Sequence, residues 1–260
     1  MRSGVAWYGG CEMRLAEIQK QLGTTPDGIF GPKTAAALKA ARYDVVLDAG
    51  HTTDRAREYP CDWPHGTWET HAGRKVARAL GVTCQTQDSI EHMLNVRIAA
   101  YAVRELEQRG LRVLLFDDPG MGNNAEYQLA AKIANAAAPR VFLSIHANAC
   151  YGVASYATNT PCGSITFYRL GDAASLKLAE ACTTELLRVR AAAQAPSNRA
   201  DRIAPGQSYH VLKATPAAGA SALAEVGFYD NMADLEFMAT HLPELGTALA
   251  KAIFSMTKDQ

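Results

Sequence analysis

Three short apolar runs in this chain each deliver a side chain able to bind a metal or move a proton. They are Val45-Val46-Leu47-Asp48-Ala49-Gly50-His51, Val141-Phe142-Leu143-Ser144-Ile145-His146 and Ala222-Leu223-Ala224-Glu225-Val226-Gly227-Phe228. Continuous β-branched and aliphatic residues followed by a turn signal read as buried strands. In open α/β sheets, ligands gather outside the carboxyl ends of the strands. A catalytic zinc takes three protein ligands, drawn from neutral imidazoles and a carboxylate, and keeps one position open for water. His51, His146 and Glu225 offer part of such a set, which points to hydrolytic chemistry.

The elements that must bring these residues together alternate between strand and helix from residue 43 onward. A helix is expected over 91–109, with Leu94, Ile98, Tyr101, Ala102 and Leu106 on one side and Gly110 as its stop. The strand 112–116, a helix over 125–138 and the strand ending at His146 follow. Beyond them come a strand over 164–168, a helix over 173–192, the strand near Glu225 and a last helix over 242–256. The fold class is α/β: a twisted, mostly parallel sheet flanked by helices, with a small helical module at the N-terminus. Two domains are expected, 1–42 and 43–260, closely joined because no Pro/Gly/Ser linker separates them.

Charge and composition narrow the function. Lys+Arg and Asp+Glu balance at 26 each, so no global field calls for nucleic acid. No apolar stretch reaches the ~18 residues of a membrane span. The start of the chain lacks the apolar core of a secretory signal, so synthesis in the cytoplasm is expected. The six cysteines form no C-x-x-C pair, which disfavours a cysteine zinc knuckle. Buried thiols are the simple reading; Cys61–Cys84 or Cys150–Cys162 would staple loops in an oxidising compartment.

In the opening unit, Leu15, Ile18 and Leu22 are spaced for one helical face, and Thr24-Thr25-Pro26-Asp27-Gly28 ends that helix. Pro32 suits the first turn of a second helix, with Ala37 and Leu38 facing inward. The run Asp27-Gly28-Ile29-Phe30-Gly31-Pro32-Lys33-Thr34 resembles the D-G-x-F-G-x-x-T signature of the peptidoglycan-binding type 1 module. The unit is shorter than the usual three-helix module. The resemblance implies wall binding through Asp27, Gly28, Phe30, Gly31 and Thr34.

Four further blocks carry a second resemblance: Leu47-Asp48-Ala49-Gly50-His51, Glu91-His92-Met93-Leu94-Asn95, Ser144-Ile145-His146-Ala147-Asn148 and Glu225-Val226-Gly227-Phe228-Tyr229-Asp230-Asn231. In order and residue type they resemble the zinc-dependent N-acetylmuramoyl-L-alanine amidases of the amidase-3 family, over residues 43–256. The resemblance implies one zinc ion held by His51, Glu91 and His146, with Glu225 as the catalytic carboxylate. The bond cleaved would be the amide between N-acetylmuramic acid and L-alanine in peptidoglycan. Asp48 or a nearby backbone carbonyl is expected to orient one of the histidines, and Asn148 to bind substrate.

Glu69 competes with Glu91 as third ligand, but Glu91 opens the helix leading into the next strand and is followed by Asn95. His92 stands where the family block has lysine. Glu91 lies forty positions after His51, longer than the family's usual gap, and the stretch between them includes Trp63 and Trp68, two candidate sugar-stacking residues. Cys61, His65, His71 and Cys84 fit no zinc-finger spacing. A wall substrate, no signal peptide and an N-terminal binding unit together resemble a phage endolysin, monomeric and acting on the cell wall. A zinc peptidase cutting within the stem peptide and a non-catalytic wall-binding protein are the alternative readings.

Overall fold

The computed structural model describes residues 14–51, 90–118, 123–149, 161–197 and 202–258. In chain order, α1 (Leu15–Gln21) and α2 (Pro32–Ala41) lead into β1 (Val45–Ala49), α3 (Ile90–Gln108) and β2 (Val113–Phe116). Next come α4 (Asn123–Ala137), β3 (Val141–Asn148), β4 (Ile165–Tyr168) and α5 (Ala173–Ala192). The chain closes with β5 (Arg202–Pro205), α6 (His210–Lys213), β6 (Ala220–Phe228), α7 (Met232–Thr240) and α8 (Leu242–Thr257).

The six strands form one sheet in the order β2-β1-β3-β6-β4-β5. β1 pairs in parallel with both β2 and β3, β3 with β6, and β4 with β5; among the described strands only the β4–β6 pair is antiparallel. Both faces of this sheet are covered, which explains why β1 and β6 are buried along their whole length.

Alternation along the strands sorts side chains between two apolar layers. Val45, Leu47 and Ala49 of β1, with Val141, Leu143 and Ile145 of β3, pack in the layer that holds Leu94, Ile98 and Leu106 of α3 and Leu245, Leu249 and Ile253 of α8. The opposite face carries Val46, Phe142 and Leu223 against Leu129, Ala130 and Ile133 of α4. On that second face the strands turn polar at their carboxyl ends, where Asp48, Ser144, His146 and Glu225 succeed the apolar residues. The site is therefore a continuation of one core layer, built from side chains that share its orientation.

α1 and α2 contribute Leu15, Ile18 and Leu38 to the same apolar cluster as Val46, Phe116 and Phe142. The N-terminal unit is thus packed onto the sheet domain through a shared core. Within it, buried Gln19 is the hub: its Nε2 lies 2.9 Å from Asp27 Oδ1 and 3.0 Å from Thr34 Oγ1, and its Oε1 accepts the Gly28 N–H at 2.8 Å. Asp27, Gly28 and Thr34 of the D-G-x-F-G-x-x-T run thereby hold the turn between the helices, while Ile29 is 68% exposed.

A buried ion pair anchors the far side of β6. Arg190 Nη1 of α5 meets Asp234 Oδ1 of α7 at 2.6 Å, and Asp234 Oδ2 accepts from the Gly163 and Phe228 N–H groups. Asn231 caps α7 by accepting from the N–H groups of Ala233 and Asp234. The residues after Glu225 in the fourth block are accordingly those that fix the end of its strand. Breaking such a buried pair costs about 3–5 kcal/mol because it strands a charge.

Candidate metal centre and active site

His51, Glu91 and His146 converge from β1's trailing loop, the first turn of α3 and β3, and their ligand atoms all lie within 4.8 Å of one another. Glu91 Oε1 is 3.3 Å from His51 Nε2 and 3.4 Å from His146 Nδ1. The two imidazoles meet edge to face with ring centroids 4.8 Å apart. A tetrahedral zinc with ~2.0–2.1 Å bonds spaces its ligands about 3.3–3.4 Å apart, so the donor types and both separations fit that ion. Among the described residues this is the one group of three or more such side chains so arranged.

The local backbone explains how His51 reaches this point. Gly50 runs so close to His146 that a Cβ there would overlap the imidazole ring. His51 itself sits in the left-handed region at φ 66°, an uncommon conformation for a residue with a side chain. Two side chains of α3 hold this turn. Asn95 Nδ2 donates to the Gly50 carbonyl at 2.8 Å, and His92 Nδ1 donates to the His51 carbonyl at 2.9 Å. Glu91 is thus followed on its helix by the groups that position its co-ligand.

His146 is oriented from behind. Ser144 Oγ donates to Asp48 Oδ2 at 2.7 Å and lies 3.0 Å from His146 Nε2. Since the serine proton is given to Asp48, the serine oxygen accepts from the His146 Nε2–H. That tautomer leaves a lone pair on Nδ1, the atom facing Glu91. Of the two acceptors expected to orient a histidine, Asp48 or a backbone carbonyl, Asp48 is joined to His146 through Ser144.

Glu225 is buried at 7% exposure on β6, as the register partner of His146 on β3. It lines a cavity of about 300 Å³ together with Asp48, His51, Glu126, His146 and Tyr209. Burial, then the charges of Glu225 and Glu91, push the Tyr209 phenol up to about 12, so it stands beside these carboxylates as a hydrogen-bond donor. A larger groove of about 510 Å³ runs between α5 and α8; the metal-competent triad is not part of it.

The remaining expectations divide. Asn148 closes β3 past a register shift that separates it from His146, and its carbonyl accepts the Tyr229 N–H at 2.8 Å. It does not line the cavity. Trp63, Trp68, Glu69, Cys61, His65, His71, Cys84 and Cys150 lie outside the described residues. Cys162 and Cys182 are both buried. Ser144, Glu126, Tyr209 and His210 were not anticipated as site residues. Ser144 was readable in principle, since a residue two before a strand-end histidine shares its face.

The residues from 45 to 255 match the model of the N-acetylmuramoyl-L-alanine amidase family, amidase-3. No curated protein matches the sequence. Among solved structures, the chain is similar to the N-acetylmuramoyl-L-alanine amidase from Clostridium difficile 630, with a TM-score of 0.58 and 19% identity over 85% of this chain and 99% of that one. It is also similar to the catalytic domain of CwlV, an N-acetylmuramoyl-L-alanine amidase from Bacillus (Paenibacillus) polymyxa var. colistinus, with a TM-score of 0.55 and 21% identity over 83% of this chain and 98% of that one. Cwp6 from Clostridium difficile gives a TM-score of 0.57 and 18% identity over 84% of this chain, which spans 30% of Cwp6. At these identities the likeness shows a common fold.

Proposed function

We propose that this chain, which belongs to the N-acetylmuramoyl-L-alanine amidase family, is a zinc-dependent hydrolase of the amide joining N-acetylmuramic acid to L-alanine. The observation that carries the reading is the His51–Glu91–His146 donor set with a buried carboxylate, Glu225, beside it. Zinc held by His51 Nε2, Glu91 Oε1 and His146 Nδ1 would supply Lewis acidity, polarising the scissile carbonyl and acidifying the attacking water.

The chain's own groups do the rest. The Glu225 carboxylate takes the proton from the attacking water as the new carbon–oxygen bond forms. It then returns that proton to the alanine nitrogen as the carbon–nitrogen bond breaks, serving as base and then acid. The products are a free lactyl carboxylate on the muramic acid and a free α-amino group on L-alanine. Tyr209 lines the same cavity as a neutral donor suited to the substrate's carbonyl oxygens. Zinc stoichiometry and loss of wall hydrolysis on chelation, restored by added zinc, test this reading; full activity without metal refutes it.

The opening unit we read as a wall-docking element, on the strength of its D-G-x-F-G-x-x-T run and the exposure of Ile29 at the turn. Asn148, Trp63 and Trp68 remain proposed substrate contacts, and peptidoglycan the proposed partner of a monomeric enzyme. With a docking element ahead of the catalytic domain, the role is that of an endolysin. Ile29→Asp should weaken co-sedimentation with purified wall while leaving hydrolysis of soluble muropeptides unchanged; unaltered co-sedimentation would remove Ile29 from the docking surface.

A further inference from the structure

Behind the triad lies a polar layer that takes no part in the proton transfers above. Asp48 is 2% exposed, Ser144 0% and Glu126 3%. Among the described residues, neither Asp48 Oδ1 nor Glu126 Oε1, both buried, has a hydrogen-bond partner. The side chains of Asp48 and Glu126 line one cavity, and Asp48 acts on Glu126 through its charge and as a hydrogen-bonding neighbour. Two ionised carboxylates in a water-poor site would repel and leave both oxygens unsatisfied; one proton between them removes both penalties. Asp48 already accepts the Ser144 hydroxyl. Glu126 is the partner that keeps the proton: burial, then the charges of Asp48, Asp117 and Asp118, push it up to about 11.

We propose that Glu126 is a positioning residue of the metal centre, a neutral acid on α4 that donates to Asp48 and thereby holds the chain Asp48–Ser144–His146 in register. The consequence reaches the ligand through two hydrogen bonds of known geometry. Asp48 fixed by Glu126 accepts from Ser144 at 2.7 Å, and Ser144 is then oriented to accept the His146 Nε2–H at 3.0 Å. Only in that tautomer does the His146 Nδ1, which lies 3.4 Å from Glu91 Oε1, carry the lone pair a metal needs. Asp117 and Asp118 at the end of β2 face Glu126 with negative charge, so the device depends on Glu126 being the neutral member of the group. The inference rests on the reading of His51, Glu91 and His146 as zinc ligands.

Glutamine is neutral, close in shape and able to donate, whereas methionine is close in size and cannot. Glu126→Gln should bind zinc, measured by chelator competition, within about 3-fold of the parent, while Glu126→Met should bind about 10-fold or more weakly. A second readout needs no metal: the ¹⁵N shifts of labelled histidine in the metal-free protein, with the His146 signal assigned by comparison with His146→Gln. Parent and Glu126→Gln should show the Nε2–H tautomer, and Glu126→Met a mixture. Should the methionine variant fail to fold, the glutamine variant decides alone. Parent-like zinc affinity and tautomer in Glu126→Met, or loss of both in Glu126→Gln, would overturn the proposal. A parent protein that takes up no zinc sinks the ligand reading, while the tautomer still decides the role of Glu126.

Discussion

His146 and Glu225 are register partners across the parallel β3–β6 ladder, so a proposed metal ligand and the proposed proton carrier project from adjacent strands onto one face of the sheet. Strands in a sheet are ~4.8 Å apart, and parallel pairing holds that spacing without any contact between the side chains themselves. The separation of roles is therefore testable. Glu225→Gln should retain stoichiometric zinc and lower kcat on muropeptides by about 10²–10⁴-fold. Turnover near the parent rate would remove Glu225 from the proton transfers.

Metal content should follow the triad and nothing else nearby in sequence. His51→Ala, Glu91→Ala and His146→Ala are each expected to abolish zinc retention through gel filtration. Glu69→Ala is expected to keep it. Zinc lost from Glu69→Ala and kept by Glu91→Ala would exchange the assignments.

Gly50 lets β1's trailing loop pass against the His146 ring. Gly50→Ala should displace that ring, costing at least 10-fold in zinc affinity while the far-UV circular dichroism stays that of the parent. Unchanged affinity would show that the loop has room to yield.

Asn95 satisfies the Gly50 carbonyl from the buried side of α3. Asn95→Ala leaves that acceptor without its donor, a loss of about 1–3 kcal/mol in a denaturant titration. Zinc affinity should fall as well, because the left-handed turn at His51 loses one of its two restraints. A stability loss with unaltered zinc affinity would mean that the turn holds without Asn95.

Much of this was legible in the sequence because parallel, doubly covered strands announce themselves as unbroken apolar runs. The runs 45–51, 141–146 and 222–228 are read that way and fall on β1, β3 and β6, and α3, α4, α5 and α8 lie within a few residues of their expected spans. β5 and α6 were missed. Arg202–Pro205 is an exposed edge strand ending in proline, and His210–Lys213 is a single turn, so neither carries a periodic signal. α7 was missed despite a readable cap at Asn231.

Within the site, His51, His146 and Glu225 were visible as strand-end residues. Glu91 needed the family blocks, because a carboxylate at a helix start is commonplace. Glu126, Tyr209 and His210 were not legible. They come from α4 and the short α6 segment, and only the packing of those elements over the polar ends of β1, β3 and β6 brings them to the cavity.

The identity of the bond cleaved bears most directly on the whole account. Purified peptidoglycan digested with zinc-loaded protein, with Glu225→Gln as the control, can be read by mass spectrometry of the released fragments. The account predicts stem peptides with a free N-terminal L-alanine, glycans bearing free lactyl carboxylates, and neither product in the control. Fragments that keep the lactyl–alanine amide while breaking within the stem peptide would contradict it.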